Sequence, residues 1–327
     1  MTKPIRWGIL GTGSIAHTFT KALRDDTDSA DVVAVGSRTE AEASSFAETF
    51  GIERAYSSYE ALAADPDVEV MYIATPHVAH KANTLLCLDA GKHVLCEKPM
   101  GLNQTEVQEM VRAARDKELF LMEALWTRFL PHMTKLKRLV DEGALGELRM
   151  LQASFGFRIP VDVGSRLFDP HLGGGSLLDV GVYSVMLAQW LFGTPEKVVS
   201  FANLGETGVD EETAFMLRYR GGQVAQLSSA VRLQLPDSLT LIGTEGIALS
   251  PDWWRPSSLE IKRWRRSEIF RPECRGSGYA YEAEEVARCV RAGKLESAAA
   301  PHEDSLAIHA TLDELRRQWG LVYPQEA

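Results

Sequence analysis

The sequence predicts an α/β protein, with a doubly wound parallel sheet at the N-terminus and then an α+β domain on a mostly antiparallel open sheet. Three observations lead there. Short apolar runs alternate with helix-forming stretches over the first 124 residues, as parallel strands joined by crossover helices require. A glycine turn, Gly8-Ile9-Leu10-Gly11-Thr12-Gly13-Ser14-Ile15-Ala16, closes the first of those runs. Beyond Trp126-Thr127-Arg128-Phe129 the alternation stops, and strand-like segments follow one another across turns. The expected domains are therefore 1–124, for nucleotide binding, and 125–327.

Taken in order, Ile5–Leu10 is a short apolar strand ending in glycines, and 14–23 suits a helix aimed at the glycine turn. Strands are expected at 32–35, 70–74, 93–96 and 119–123, with helices at 41–50, 59–64, 77–89 and 104–117. In the second half, 148–157, 198–204, 213–220, 223–232, 239–243 and 259–264 read as strands. Arg220-Gly221-Gly222-Gln223 and Thr244-Glu245-Gly246 read as hairpin turns between them.

Composition narrows the function classes. With 45% hydrophobic and 24% charged residues the chain is of globular type. A net charge of −10 argues against a nucleic-acid surface, which needs clustered Lys and Arg. The apolar stretch 176–193 is broken by Asp179 and Gln189, so a buried helix is expected there and no membrane partner. Cys87, Cys96, Cys274 and Cys289 are widely spaced and read as reduced thiols. With no signal-peptide core before the first strand, a cytoplasmic location is expected.

The glycine turn has the spacing Gly11-x-Gly13-x-x-Ala16 between a strand and a helix. Such a turn lets backbone approach a pyrophosphate while the helix N-terminus favours its charge, so Gly11, Thr12, Gly13, Ser14 and Ile15 are the expected cradle. An NAD site usually ends the second strand with Asp or Glu. Here it ends Gly36-Ser37-Arg38-Thr39, so Ser37 and Arg38 are expected to hold the 2′-phosphate of NADP. If Arg38 instead stacks on adenine, NAD is accepted too. Ligands gather at the carboxyl ends of parallel strands, which places Thr75-Pro76-His77 and Glu97-Lys98-Pro99 at the site, with His80 one helical turn on. His77-x-x-His80 lacks an acid or cysteine partner, and no metal is expected. Pro99 restricts Lys98 to extended geometry, and a cis bond before it is one way to fix the lysine's direction. In a helix starting near Ser176, Asp179 and Tyr183 share a face.

Together, the glycine turn, Glu97-Lys98-Pro99 and Asp179-x-x-x-Tyr183 resemble the glucose–fructose oxidoreductase / inositol dehydrogenase family over essentially the whole chain. Four further stretches are similar to its dimeric trans-dihydrodiol dehydrogenase / D-xylose 1-dehydrogenase (NADP) branch. They are Glu97 to Gly101, Phe120 to Phe129, Glu206-Thr207-Gly208-Val209-Asp210 and Tyr281-Glu282-Ala283. The resemblance implies a Rossmann domain, an NADP cofactor and an aldose or cyclic diol substrate. It also implies a homodimer through the C-terminal sheet.

It further implies that Lys98 and Tyr183 line the nicotinamide, that Asp179 supports them, and that Trp126 and Arg128 contact cofactor or substrate. Many members of the family carry His where this chain has Tyr183, which counts against inositol as substrate. On that basis Tyr183 is the expected general base. A free tyrosine titrates near ~10, and a nearby lysine ammonium stabilises the phenolate. Two alternatives keep the fold: a glycosidase that recycles bound NAD, and a non-catalytic NADP-binding sensor. Arg158, Asp162, Arg166, Asp169 and His171 are polar residues beside the helix with no assigned role.

Overall fold

A parallel sheet covered on both faces gives near-continuous apolar strands, and the first sheet has them. In the computed structural model, which describes residues 3–264 and 266–327, β1 (Ile5–Leu10), β2 (Ala30–Gly36), β3 (Arg54–Tyr56), β4 (Val70–Ile73), β5 (His93–Glu97) and β6 (Leu121–Ala124) pair in parallel. Their order is β3-β2-β1-β4-β5-β6. Almost every residue of β1, β4, β5 and β6 is buried. The helix Ser14–Asp25 turns Ala16, Phe19, Ala22 and Leu23 inward, and Phe19 stacks on Tyr72 at 3.8 Å. The strand order reverses between β1 and β4, and the crevice beyond their carboxyl ends is the natural ligand site.

The second sheet contains β7 (Leu148–Gly156), β8 (Lys197–Leu204), β9 (Asp210–Arg218), β10 (Val224–Ala230), β11 (Ser238–Gly243), β12 (Ile247–Pro251), β13 (Leu259–Arg263) and β14 (Arg266–Phe270). The order is β14-β13-β12-β11-β7-β10-β9-β8, and every pairing is antiparallel except β7 with β10. Along β9, Thr213, Phe215 and Leu217 are buried while Ala214, Met216 and Arg218 are exposed. That alternation belongs to a sheet with one covered face. The helix Val182–Phe192 packs against β7 and β10 on the covered side. Among the described residues the segment Pro170–Phe192 is long and apolar enough to cross a membrane, and 78% of its apolar window is buried within the fold.

The chain forms two compact units, but their limits differ from the expected division at residue 124. One unit holds the residues through Gly101, Thr105–Trp126 and Arg275–His302; the other holds Leu102–Gln104, Thr127–Cys274 and Glu303–Ala327. The returning segment carries the helix Ala280–Arg291, and the Leu121 N–H of β6 donates to the Leu295 carbonyl at 3.1 Å. Such a return is set by tertiary pairing, which local sequence patterns do not encode. Strands β3, β12 and β14 and the helices Pro131–Asp141, Ala280–Arg291 and His302–Trp319 also lie outside the sequence-based expectation. Among the described residues no two cysteines form a disulfide; Cys87, Cys96 and Cys289 are buried.

Candidate active site

The glycine turn is built for close approach. Gly11 has φ +104°, and a Cβ there would stand 2.8 Å from the Ala74 carbonyl oxygen at the end of β4. Only glycine combines that φ with that clearance. Gly13 caps the helix Ser14–Asp25, and nothing lies within 4 Å of where its Cβ would be. No side chain caps this helix end, and its first turn holds no acid. The free N–H groups and open space at Gly13 fit a pyrophosphate, which a side chain there would displace.

At the end of β2 the structure adds a residue that the sequence reading did not single out. Ser37 is buried, and its hydroxyl donates to Glu42 Oε2 at 2.7 Å while lying 3.2 Å from Thr12 Oγ1. Glu42 stands in the first turn of the helix Glu40–Phe50, whose N-cap Thr39 accepts from the Glu42 N–H at 3.3 Å. The Ser37 and Thr39 hydrogen bonds hold the Glu42 carboxyl below its ordinary range. Arg38 is exposed beside them. The Thr39-x-x-Glu42 spacing was the available signal, since it is that of a capping box.

The ends of β4 and β5 are tied together by His80. Its side chain is fully buried, with Nδ1 2.7 Å from the Pro99 carbonyl oxygen and Nε2 2.9 Å from the Thr75 carbonyl oxygen. Both ring nitrogens face backbone acceptors, so the ring braces the two turns on which the expected cofactor contacts stand. Asn83 donates to Thr75 Oγ1 at 3.1 Å and steadies the same turn. His77 is buried with its ring 5.8 Å from that of His80, while Pro76 is exposed and Thr75 half-buried. Among the described residues no three His, Cys, Asp or Glu side chains are grouped to hold a metal.

The Glu97 side chain also turns inward and is buried. It accepts a short hydrogen bond from the Tyr72 hydroxyl on Oε1, and the Lys98 N–H donates to Oε2 at 3.2 Å. Burial pushes its carboxyl up, and the neighbouring Lys98 charge opposes that. The Lys98–Pro99 peptide is cis and Lys98 is half-buried. Glu97 therefore anchors the backbone that presents Lys98. Behind it Glu282 is fully buried with both carboxylate oxygens lacking hydrogen bonds, and burial holds its carboxyl well above the ordinary range. Trp126 is buried and stacks on Tyr279 at 4.2 Å.

In the second unit the helix carrying Asp179 and Tyr183 does not begin as a regular α-helix. A π-turn over Leu177–Gly181 precedes Val182–Phe192 and changes the register expected from i, i+4 spacing. Asp210 on β9 holds this start: its Oδ2 accepts from Ser176 Oγ at 2.8 Å and from the Leu177 N–H at 2.6 Å. Burial pushes the Asp210 carboxyl up to about 7, against those two hydrogen bonds. Asp179 and Tyr183 are both buried, at 5% and 7% exposure. Arg166 donates to Asp179 Oδ1 at 2.9 Å, so the carboxylate's partner within this unit is an arginine the sequence reading left without a role. The Tyr183 ring meets Phe155 edge-on at 5.4 Å, and Phe155 stacks on Trp254 at 4.3 Å.

Arg128 is buried in the same unit. Its Nη1 donates to Asp304 Oδ2 at 2.6 Å and its guanidinium lies 5.5 Å from the Trp190 ring centroid, so a carboxylate already meets its charge. Asp162 and Asp169 accept from the N–H groups two residues ahead, Gly164 and His171, and shape local turns.

A doubly wound sheet with an open glycine turn at its switch point, joined to a large open sheet, defines a dinucleotide-dependent oxidoreductase of two-domain type. The chain matches the family described as the oxidoreductase family with an NAD-binding Rossmann fold over residues 5–125, and the GFO/IDH/MocA C-terminal domain over 133–249. It belongs to the GFO/IDH/MocA oxidoreductase family. It is 41% identical to the trans-1,2-dihydrobenzene-1,2-diol dehydrogenase of Mus musculus, across 98% of this chain and 99% of that one. The Danio rerio enzyme of the same name is 40% identical across 99% of each. Among solved structures, a 3-ketoreductase from Actinomadura kijaniata in complex with NADP and TDP-benzene superposes with a TM-score of 0.87 at 28% identity, over 96% of this chain and 97% of that one.

Proposed function

We propose that this protein is an NADP-dependent dehydrogenase acting on a CH–OH group of a trans-dihydrodiol or an aldose. The observation that carries the reading is the full-length similarity to trans-1,2-dihydrobenzene-1,2-diol dehydrogenases. The open, acid-free glycine turn and the NADP complex of the ketoreductase agree with it. The nicotinamide, when bound, supplies a two-electron hydride acceptor or donor.

The chain's own residues handle the proton. Tyr183 takes it from the substrate hydroxyl as the carbon is oxidised. Lys98 stabilises the phenolate and donates a hydrogen bond to the reacting oxygen as charge develops there. Bringing a tyrosine down by two to three units requires roughly 3–4 kcal/mol of differential stabilisation. A cation close by in a partly dry site is of that size at an effective dielectric near ~20. Asp179 and its partner Arg166 set the position of the helix start that carries Tyr183. We assign the exposed face of the second sheet, where Phe201, Met216 and Val199 stand out, to a second copy of the chain.

The test is NADPH formation, followed by absorbance, against a trans-dihydrodiol, D-xylose, D-glucose and an inositol, with NAD in parallel. Turnover of a dihydrodiol or aldose is expected, and loss of most of it in Tyr183→Phe. Silence on every substrate with cofactor binding intact overturns the dehydrogenase reading. Sugar release from a glycoside without net NADPH would replace it with the NAD-recycling glycosidase.

A further inference from the structure

A dinucleotide fold distinguishes its two nicotinamide cofactors at the end of the second strand, where a carboxylate accepts from ribose hydroxyls or an arginine accommodates the 2′-phosphate. By sequence this chain has only Ser37 and Arg38 there. By structure it also has an acid. Glu42 comes from the first turn of the next helix, and in a capping box its side chain would turn back to the N-cap N–H. Instead its Oε2 takes the Ser37 hydroxyl hydrogen at 2.7 Å, while Thr39 caps the helix through the Glu42 N–H. Thr12 of the glycine turn, 3.2 Å from Ser37 Oγ, closes the group.

A hydroxyl has one hydrogen to give. While Glu42 is ionised it competes with a 2′-phosphate for the Ser37 hydrogen and repels that phosphate's charge. A ribose 2′-hydroxyl, being a donor, can pair with the same carboxylate. Arg38, exposed beside them, acts in the opposite sense. The site therefore holds both recognition elements at once.

We propose that Glu42 is a specificity-determining residue of the cofactor site, favouring the 2′-hydroxyl form over the 2′-phosphate form and limiting the NADP preference conferred by Arg38. The inference rests on the reading that the glycine turn binds a nicotinamide dinucleotide. Its ligand class is the adenosine ribose end of that dinucleotide.

The experiment is equilibrium titration of the substrate-free protein with NADPH and with NADH, by cofactor fluorescence or calorimetry, for wild type, Glu42→Gln and Glu42→Ala. Both variants keep the Thr39 cap, which uses only backbone at residue 42. An exposed charge interaction is worth about a fivefold change in affinity. NADPH binding is expected to tighten by up to about fivefold and NADH binding to weaken, so their ratio moves by about fivefold or more. The gain for NADPH should shrink in high salt, because exposed charges are screened. In a Ser37→Ala background the same substitution should move the ratio less. An unchanged ratio overturns the proposal, and so does an equal loss for both cofactors, which would make Glu42 a mere support of the loop. If the wild type binds neither cofactor, the underlying dinucleotide reading falls with it.

Discussion

The two sheets put their polar groups to different use. The central strands of the first are buried on both faces, so their side chains are almost all core, and its candidate functional groups stand in the turns at the strand ends: Gly11, Ser37, Thr75 and Lys98. The second has one covered and one open face; its polar anchor, Asp210, points into the covered side, while Phe201 is 79% exposed on the open one. The difference teaches where each sheet tolerates change. Edge turns of the first are expected to be sensitive in function and the open face of the second in assembly.

The sharpest way to test that division is Lys98→Met. If the strand-end turn presents the reacting lysine, turnover should fall by roughly 10³-fold, of the size expected when a group that stabilises developing charge is removed. Cofactor affinity should stay within about threefold, and the oligomeric state measured by sedimentation should not move. A mild loss of turnover would take the chemistry away from this edge.

A smaller effect is expected at Asp210, and it depends on pH. Its carboxyl is pushed up to about 7 in the fold, from about ~3.9 in an unfolded chain. The folded state therefore holds a proton that the unfolded state has released. That contribution to stability is complete below the unfolded value and is lost as pH rises through about 7. Between pH 5 and 8 this group removes about 3 kcal/mol of stability. The groups facing it are Ser176, the Leu177 N–H and, at longer range, the Arg316 charge and the Tyr323 phenol, which burial keeps neutral. Urea unfolding of wild type and Asp210→Asn at both pH values should show their difference shifting by about that amount toward the variant at high pH. A difference independent of pH would mean the carboxyl does not titrate in this range.

On the open face, Phe201→Asp should weaken self-association by about 2 kcal/mol, close to a thirtyfold rise in the dimer dissociation constant. Thermal unfolding at high dilution should barely change, because this side chain is 79% exposed in the isolated chain. Unaltered sedimentation would remove the open face as the interface.

How much of this was legible follows the same division. Alternating apolar runs gave away β1, β4 and β5, because a strand buried on both faces leaves an uninterrupted signal. Strand β3 has three residues, too few for any period to register. The helix Ala280–Arg291 buries Ala283, Val286 and Ala287 at helical spacing, a pattern the sequence reading passed over. Its membership of the first unit was not legible, since that depends on contacts far along the chain. The site divides likewise. Glycine spacing and Glu97-Lys98-Pro99 are visible as text, whereas the turn of Glu42 toward Ser37 and the π-turn under Asp179 are decided by three-dimensional competition for hydrogen-bond partners.

The smallest expected effect is at His80, where the first sheet's edge is held together. Both ring nitrogens point at carbonyl oxygens, of Pro99 at 2.7 Å and Thr75 at 2.9 Å, and a carbonyl can only accept. A neutral imidazole carries one ring hydrogen and donates to one of these carbonyls, while the fully buried ring fills the space between the two turns. His80 stands at the start of the helix His80–Asp89. His80→Asn, too short to span both turns, should cost about 1 kcal/mol of stability in urea unfolding, the size of one hydrogen bond. It should also raise the cofactor dissociation constant, because the Thr75 and Lys98–Pro99 turns would no longer be fixed to each other. Unchanged stability and unchanged cofactor affinity would mean that the two turns keep their places without this ring.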